Sequence, residues 1–478
     1  MNKPMHIKYL LAFSLLAAIP ATANAASLLE VYQQALQSDP LIHEAEARRL
    51  ATLEVAPQAR GSLFPQLNAG GSWTTGSRSG RTAFQDQGVI AVQATDSENE
   101  TFGWGAELRQ SIFRWDQVVG LKQANKLVAQ AEIDFEAAQQ DLIVRVVTRY
   151  FEVLGAEDRL TSIHADRLAI ARQLEQAKQR FEVGLIAITD VQESQAAYDQ
   201  SVAAEIQAKR ELATARMFLQ EITGDYVAEL SAPGEDFPLQ SPNPADEASW
   251  IDLAMGQNLS VVSSRFEEEI ARDEISFRRT GHYPTVELVA NYRENDTDIT
   301  NQTIDGISFP DFTTDSQSDS IAVEFTLPIF AGGRTSSRVR EAVYLHRASK
   351  EQLQRVARET ERLTRDAYLG VNSEISRVNA LSQAVQSSRT ALEATQAGFE
   401  VGTRTIVDVL NSQRSLYIAI TNYYQSRYTY IGNVLRLKLA AGTLEVQDLE
   451  QIDRFLSARR PPEEVIAEEE AAEAEQSR

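Results

Sequence analysis

The sequence predicts a mainly α-helical chain that also carries part of a β-barrel, built as two tandem repeats of helix, strand, strand and long helices. Three observations predict it. Proline does not occur from Gln66 through Ala232, nor from Ile329 through Arg460, so both spans are open to very long helices, because proline breaks helix interiors. The stretch FEVGLIAITDVQESQ (Phe181 to Gln195) returns as FEVGTRTIVDVLNSQ (Phe399 to Gln413), shifted by 218 positions with nine of fifteen residues identical. Finally, four short stretches alternate apolar and polar residues with period two, as strands with one apolar and one polar face do.

The elements run in order along the chain. Lys3 and Lys8 precede the apolar run Tyr9 to Ile19, and Ala23-Asn24-Ala25 is a small-x-small cleavage site. Residues 1–25 are therefore expected to be a secretory signal peptide, too short to serve as a transmembrane helix. The first repeat is expected over 26–230 and begins with a helix in LLEVYQQALQSDP (Leu28 to Pro40). Phe102, Trp104, Ala106 and Leu108 alternate with Gly103, Gly105, Glu107 and Arg109, and weaker alternation runs through Leu67, Ala69, Gly71 and Trp73. Strands are expected at about 65–75 and 101–112, separated by a polar Gly/Ser-rich loop from Thr75 to Glu100. Ala, Gln, Glu, Arg and Leu dominate the span from Asp116 to Arg180, which has Leu142, Val146 and Phe151 at helical spacing and no convincing stop. Long helices are expected over about 116–182 and 189–222. At roughly 1.5 Å per residue the first would be a rod of about 100 Å, which must pair with others in coiled-coil fashion.

Pro233, Pro238, Pro242 and Pro244 mark a linker over 231–246. The second repeat is expected over 247–450. WIDLAMGQNLS (Trp250 to Ser260) opens a helix, Pro284 lies 219 positions after Pro65, and PIF (Pro328 to Phe330) lies 217 after SIF (Ser111 to Phe113). Near-constant offsets across several landmarks mean a tandem duplication. Strands are expected at about 284–293 and 319–328, with a polar loop Glu294 to Ser320 between them, and long helices over about 334–400 and 405–440. Residues 451–478 end in EEVIAEEEAAEAEQSR (Glu463 to Arg478), with seven Glu, and are expected to be a solvated, disordered acidic tail.

Composition narrows the function. The chain of 478 residues has no cysteine, so disulfides and Cys-based metal sites are excluded. A net charge of -22, from 68 acidic and 46 basic residues, argues against a nucleic-acid partner, which needs a basic surface. No second apolar run is long enough for a transmembrane helix. An exported chain of this kind is soluble, peripheral, or a barrel of alternating strands. A soluble sandwich sheet would show the same alternation, but helices far too long to cap a sandwich favour the barrel. Four strands cannot close a barrel, whose practical minimum is about eight, so the chain should oligomerise.

Motifs for catalysis are missing. His6, His43, His164, His282 and His346 show no metal-binding spacing and, apart from His6 in the leader, look like surface residues. There is no P-loop, GxGxxG or GxSxG elbow, and Gly332-Gly333 fits a strand-to-helix turn better than a phosphate cradle. No enzyme, cofactor or metal is expected.

Several contiguous segments carry a resemblance to a known family: VYQQA (Val31 to Ala35), PQL (Pro65 to Leu67), QSIF (Gln110 to Phe113), YFEVL (Tyr150 to Leu154), QRFEVGLIAITDVQ (Gln179 to Gln192), LPIFAGG (Leu327 to Gly333) and VGTRTIVDVL (Val401 to Leu410). The chain resembles the TolC family of outer-membrane export channels, from its mature start to about Leu449. The resemblance implies a homotrimer whose protomers each give four strands to one twelve-stranded barrel in the outer membrane of a Gram-negative bacterium, continued by an α-helical tunnel across the periplasm. It also implies outer-membrane lipid around the barrel, a docked periplasmic adaptor (a membrane fusion protein), and an inner-membrane RND or ABC transporter that energises export of drugs or proteins.

The same resemblance places the duplicated turns, with Gly184 and Gly402, at the periplasmic tip. It implies that Asp408 forms a pore ring, that Arg404 and Thr189 form one latch between neighbouring coiled coils, and that Asp190 belongs to a second. Three positions depart from the family pattern: Phe399 stands where a Tyr would reach Asp190, Gln396 where a Glu would pair with Gln173, and Asn411 where a second Asp ring would sit. A resting gate with fewer hydrogen bonds and one acidic ring is expected, and mutual repulsion in that ring should raise its pKa. Read from the residues alone, Gly184 and Gly402 are helix C-terminal glycines and Thr405 to Asp408 is a capping-box start. Two other functions fit parts of the sequence. A periplasmic coiled-coil adaptor or scaffold leaves the strands without a role, and a secreted enzyme on a helical frame lacks a catalytic constellation.

Overall fold

The computed structural model of the chain describes residues 25–86, 89–234 and 237–458. The leader expected over 1–25 lies outside them apart from Ala25, as does the acidic tail beyond Ala458.

Three short helices open the first repeat: α1 (Leu28–Ser38), α2 (Pro40–Leu53) and α3 (Val55–Gly61). Ser27 and Glu30 cap α1 reciprocally, and Asp39 caps α2 with Pro40 at its first position. Two strands come next, β1 (Gln66–Asp86) and β2 (Val89–Phe113), then the long helices α4 (Trp115–Glu182, 68 residues) and α5 (Ile188–Thr223, 36 residues). A short strand β3 (Ser231–Pro233) leads to the second repeat. This has α6 (Glu247–Gln257), α7 (Leu259–Arg279), strands β4 (Thr285–Ile304), β5 (Ile307–Ser308) and β6 (Phe312–Thr326), and the long helices α8 (Arg334–Glu400, 67 residues) and α9 (Ile406–Ala441, 36 residues). Helix α10 (Val446–Asp453) and strand β7 (Leu456–Ala458) end the described chain.

The strands form one antiparallel sheet in the order β1-β2-β4, with β5 and β6 both pairing β4. The register puts the apolar residues of all four long strands on one face. Leu67, Ala69, Gly71 and Trp73 stand opposite Leu108, Ala106, Trp104 and Phe102; Leu108 and Ala106 stand opposite Ala290 and Tyr292; Ala290, Leu288 and Val286 stand opposite Ile321, Val323 and Phe325. This face is open, with Leu67 70% and Ile321 80% exposed. Trp73, Phe102, Trp104 and Tyr292 close its upper end, beyond which Glu98, Glu100, Asp296, Asp298 and Asp315 take over. Trp73 donates its indole N–H to Glu100 across that boundary, at 2.6 Å. Exposed Phe64, Trp115, Tyr283 and Phe330 mark the lower end. An outward apolar band between two aromatic girdles is the surface of a membrane β-barrel. The other face carries Asn68, Gly70, Ser72, Gly103, Gly105, Asn291, Asn295 and Ser318, small and polar as a wet lumen requires. No helix among the described residues is long and apolar enough to cross a membrane.

Ion pairs fasten sheet to helix. Arg114, between β2 and α4, pairs with Glu287 of β4 at 2.6 Å and with Asp116 in the first turn of α4 at 2.8 Å. Below this joint the long helices run as two hairpins, α4 with α5 and α8 with α9, and α4 also lies along α9. The core sits part-way down, where α1, α5, α6 and α10 pack round α4 and α9. There Leu28, Val31, Tyr150, Leu154, Leu212, Leu219, Ile431, Leu435 and Leu449 are buried. The Tyr150 hydroxyl donates to the carbonyls of Ser231 (2.6 Å) and Ala26 (3.1 Å), tying the first described residues to β3.

Five expectations are corrected. Residues 75–86 and 89–100 are not a loop: they pair as the upper half of the β1–β2 hairpin, from Thr75 opposite Glu100 to Asp86 opposite Val89. Backbone ladder bonds do not depend on apolar alternation, the only strand signal in the sequence here, so the hairpin outlasts the membrane pattern. Residues 294–320 are likewise mostly strand, with a tight turn at Asp305 and Gly306, both of positive φ, as a type I′ turn requires. The expected linker contains β3, and the expected tail contains the end of α10 and β7. The two strands pair Ser231 with Ala458 and Pro233 with Leu456, because proline is tolerated on such an edge. Finally, His164 is a buried residue, 2% exposed, with Nδ1 3.3 Å from Glu205 of α5.

Candidate functional site: the two tip turns and the α4–α9 seam

Each helical hairpin turns at the end remote from the sheet, and the two turns close in the same way. In the first, Gly184 (φ +77°) donates its N–H to Phe181 O at 2.9 Å and Leu185 N–H reaches Arg180 O at 2.9 Å. In the second, Gly402 (φ +79°) bonds Phe399 O at 3.1 Å and Thr403 N–H reaches Gly398 O at 2.8 Å. Both are Schellman closures, which need a left-handed residue after the helix and so favour glycine.

The next residues diverge. Thr405 caps α9: its hydroxyl accepts from Asp408 N–H at 3.3 Å, and Asp408 Oδ2 accepts from the Thr405 N–H and hydroxyl, both at 2.9 Å. Ala187, the matching residue before α5, makes no side-chain cap. The Thr405 backbone and hydroxyl bonds hold the Asp408 carboxyl below the ordinary Asp range, with Arg404 adding a smaller Coulombic pull. Within one chain the direction is thus opposite to that expected from a ring of like charges. Arg404 folds its stem across Gly398, where a Cβ would come 2.8 Å from its Cγ, and its backbone N–H reaches Gly398 O at 3.2 Å.

Of the residues singled out in the sequence, Arg404, Gln396, Asn411 and Thr189 are exposed, and Asp190 and Asp408 are half-buried in the first turns of α5 and α9. The Arg180 guanidinium of α4 lies over the Phe399 ring, 4.8 Å from the centroid, joining the two turns of one chain. Gln173 does not pair with Gln396. Its Nε2 donates to Gln413 Oε1 at 3.0 Å.

Sequence reading missed Gln413 as a functional candidate. It is 2% exposed in the buried stripe Ile406, Val409, Gln413, Leu416 of α9. Its Nε2 donates to Asp166 Oδ1 at 2.8 Å and to Asp166 O at 3.2 Å. Burial raises the Asp166 carboxyl pKa, partly offset by the Gln413 bond. Further up the same seam the Tyr428 hydroxyl bonds the Asp158 carboxylate. The signal that could have found Gln413 is a polar residue at an apolar position of the helical period.

The two turns, each followed by a half-buried acid in the first turn of the next helix, lie at the far end of the hairpin bundle from the membrane sheet. The chain as a whole is similar to known proteins. Residues 31–225 and 250–443, one segment in each repeat, match the family model described as outer membrane efflux protein. The chain is 36% identical to the outer membrane protein TolC of Vibrio cholerae serotype O1 over 93% of its own length and 97% of that protein's. It is 35% identical to the TolC of Escherichia coli K12 (92% and 87%), and 28% identical to the alkaline protease secretion protein AprF of Pseudomonas aeruginosa (92% and 89%). Among solved structures, the outer membrane protein VceC of Vibrio cholerae superposes with a TM-score of 0.70 at 19% identity, over 87% of this chain and 96% of that one.

Proposed function

The chain belongs to the outer membrane efflux protein family, and on that premise we propose that it is a passive outer-membrane channel for efflux of small molecules, type I secretion of proteins, or both. The observation that supports this most is the sheet itself: an exposed apolar band between aromatic girdles, backed by a polar face, with the outer edges of β1 and β6 unpaired among the described residues. Open sheet edges do not persist in lipid, so those edges must be paired by other copies. Three copies give twelve strands, and the hairpins of three chains make the periplasmic tunnel. The reading as a periplasmic adaptor without a barrel gives that apolar band no use.

The tip is its gate. Asp408 from three chains faces the axis as a cation-attracting ring, with exposed Asn411 one turn beyond adding no charge. Arg404 reaches Thr189 of a neighbouring coiled coil as one latch, and Asp190 belongs to a second, which Phe399, lacking a hydroxyl, leaves one hydrogen bond short. A periplasmic adaptor docked on the helices and an inner-membrane transporter of the RND or ABC class open it and supply the energy. The experiment is fractionation followed by unheated gel electrophoresis: a heat-modifiable oligomer in the outer membrane is expected, and a soluble monomer refutes the channel. In planar bilayers, Arg404→Ser is expected to raise resting conductance, and an unchanged closed state sinks the latch.

A further inference from the structure

The duplicated stretches that end in Gln195 and Gln413 share this last residue, yet the two glutamines do different work. Gln195 is half-buried on α5 and donates to Asp199, one turn on in its own helix, at 3.0 Å. Gln413 is buried and spans the seam between the repeats, bonding Asp166 twice and Gln173 once, all on α4. The residues 218 positions after Asp166 and Gln173 are Ala384 and Ala391, so α8 offers no such partners at the matching heights. The bridge belongs to one half of the duplication only.

Its place matters. Gln413 lies five residues after Asp408 on α9, one and a half turns, or roughly 7.5 Å at about 1.5 Å per residue. A helix first turn that frays or rotates carries its side chains with it, and the capping box of Thr405 and Asp408 ties that turn only to itself. Gln413 ties α9 to α4 at this height, with apolar Val409 and Leu416 on either side in the stripe. Hydrogen bonds are directional where apolar contacts are not, so the bridge sets both the rotation of α9 and its register along α4. Any movement of the α8–α9 tip away from α4 must strip Gln413 of its partners or leave it behind as the pivot. Moving it strands buried polar groups, which is costly.

We infer that Gln413 is a positioning residue for the gate: its bridge to Asp166 and Gln173 holds the start of α9, and with it Asp408 and Arg404, in the resting arrangement. This rests on the reading of the tip as the gate. The seam above, from Tyr428 to Asp158, stays fixed, and the tip below Gln413 is the part that swings.

Full-length oligomer in planar bilayers tests it through Gln413→Leu, which suits the volume and the apolar stripe. Resting conductance is expected to rise about tenfold, the order expected when one buried hydrogen-bonded link ceases to favour the closed state. The melting temperature should change little, because the leucine needs no partner and half-buried Asp166 and Gln173 can turn to water. A merely structural glutamine would not separate these two readouts. Gln173→Leu, which removes one arm of the bridge and leaves Gln413 in place, is expected to raise conductance by a smaller factor, and it decides the matter should Gln413→Leu not assemble. Gln195→Leu, the matching substitution in the first repeat, is expected to leave conductance unchanged. If Arg404→Ser raises conductance and neither bridge variant does, the positioning role is overturned while the gate reading stands. If none of the three does, both fall.

Discussion

The Arg180 guanidinium sits over the ring of Phe399, 4.8 Å from its centroid, and so joins the turn region of the first repeat to that of the second within one chain. Cation–π contacts at exposed sites contribute about 0.5–1 kcal/mol. Phe399→Ala is therefore expected to raise resting conductance, by roughly two- to fivefold for a link of that size. Phe399→Tyr keeps the ring under Arg180 and adds a hydroxyl toward a carboxylate such as Asp190, so its conductance should fall below that of the parent. Single-channel recording distinguishes the two, and equal conductance in both variants would show that the ring plays no part.

Asp408 should carry the cation preference of the tip. Asp408→Asn keeps an acceptor for the Thr405 cap and removes the charge, so permeability should become less cation-selective with little loss of folding. Selectivity unchanged in reversal-potential measurements would mean that Asp408 does not line the pore.

The same carboxyl gives a pH prediction. Its pKa is depressed in the folded chain by the cap bonds from Thr405, so the contribution of those bonds is present above the unfolded Asp pKa and lost as pH falls through the lower folded value. Thr405→Ala removes the hydroxyl bond, and the midpoint at which acid abolishes cation selectivity should move to higher pH. A midpoint that does not move would place the titration elsewhere.

Gly442 closes α9 with φ +74°, and a Cβ there would collide with the Gln257 carbonyl oxygen, a backbone atom that cannot step aside. Backbone strain at such a φ costs about 1–3 kcal/mol, before the clash is counted. Gly442→Ala should lower the melting temperature of the assembled protein by several degrees. Its counterpart Gly224 (φ +77°) meets only the Ser38 side chain, at 3.2 Å, so Gly224→Ala should cost less. Equal losses would contradict the assignment of the clash.

Tyr150→Phe removes one hydroxyl and takes its donor from the buried Ser231 carbonyl, while the Ala26 carbonyl keeps the Ser231 N–H. A buried loss of this kind costs about 1–3 kcal/mol. Calorimetry should show a lower melting temperature, while conductance and selectivity, set at the remote tip, should not change.

By itself the sequence determined the duplication, the helical hairpins and the phase of the strands, because each rests on local chemistry. Proline-free spans permit α4 and α8, glycines at 184 and 402 end them, and period-two alternation fixes which face of each strand meets lipid. The reach of the β1–β2 hairpin above Trp73 was hidden, since ladder pairing through Gly76, Ser77 and Ser79 leaves no apolar trace. Only the tertiary structure decided the partners at the tip. Arg180 over Phe399, and Gln413 between Asp166 and Gln173, join residues more than 200 positions apart on helices whose sequences look alike. A polar side chain on a long polar helix carries no record of which neighbour it will meet. That is set by how two rods lie against each other, which the buried stripe of Ile406, Val409 and Leu416 fixes for α9.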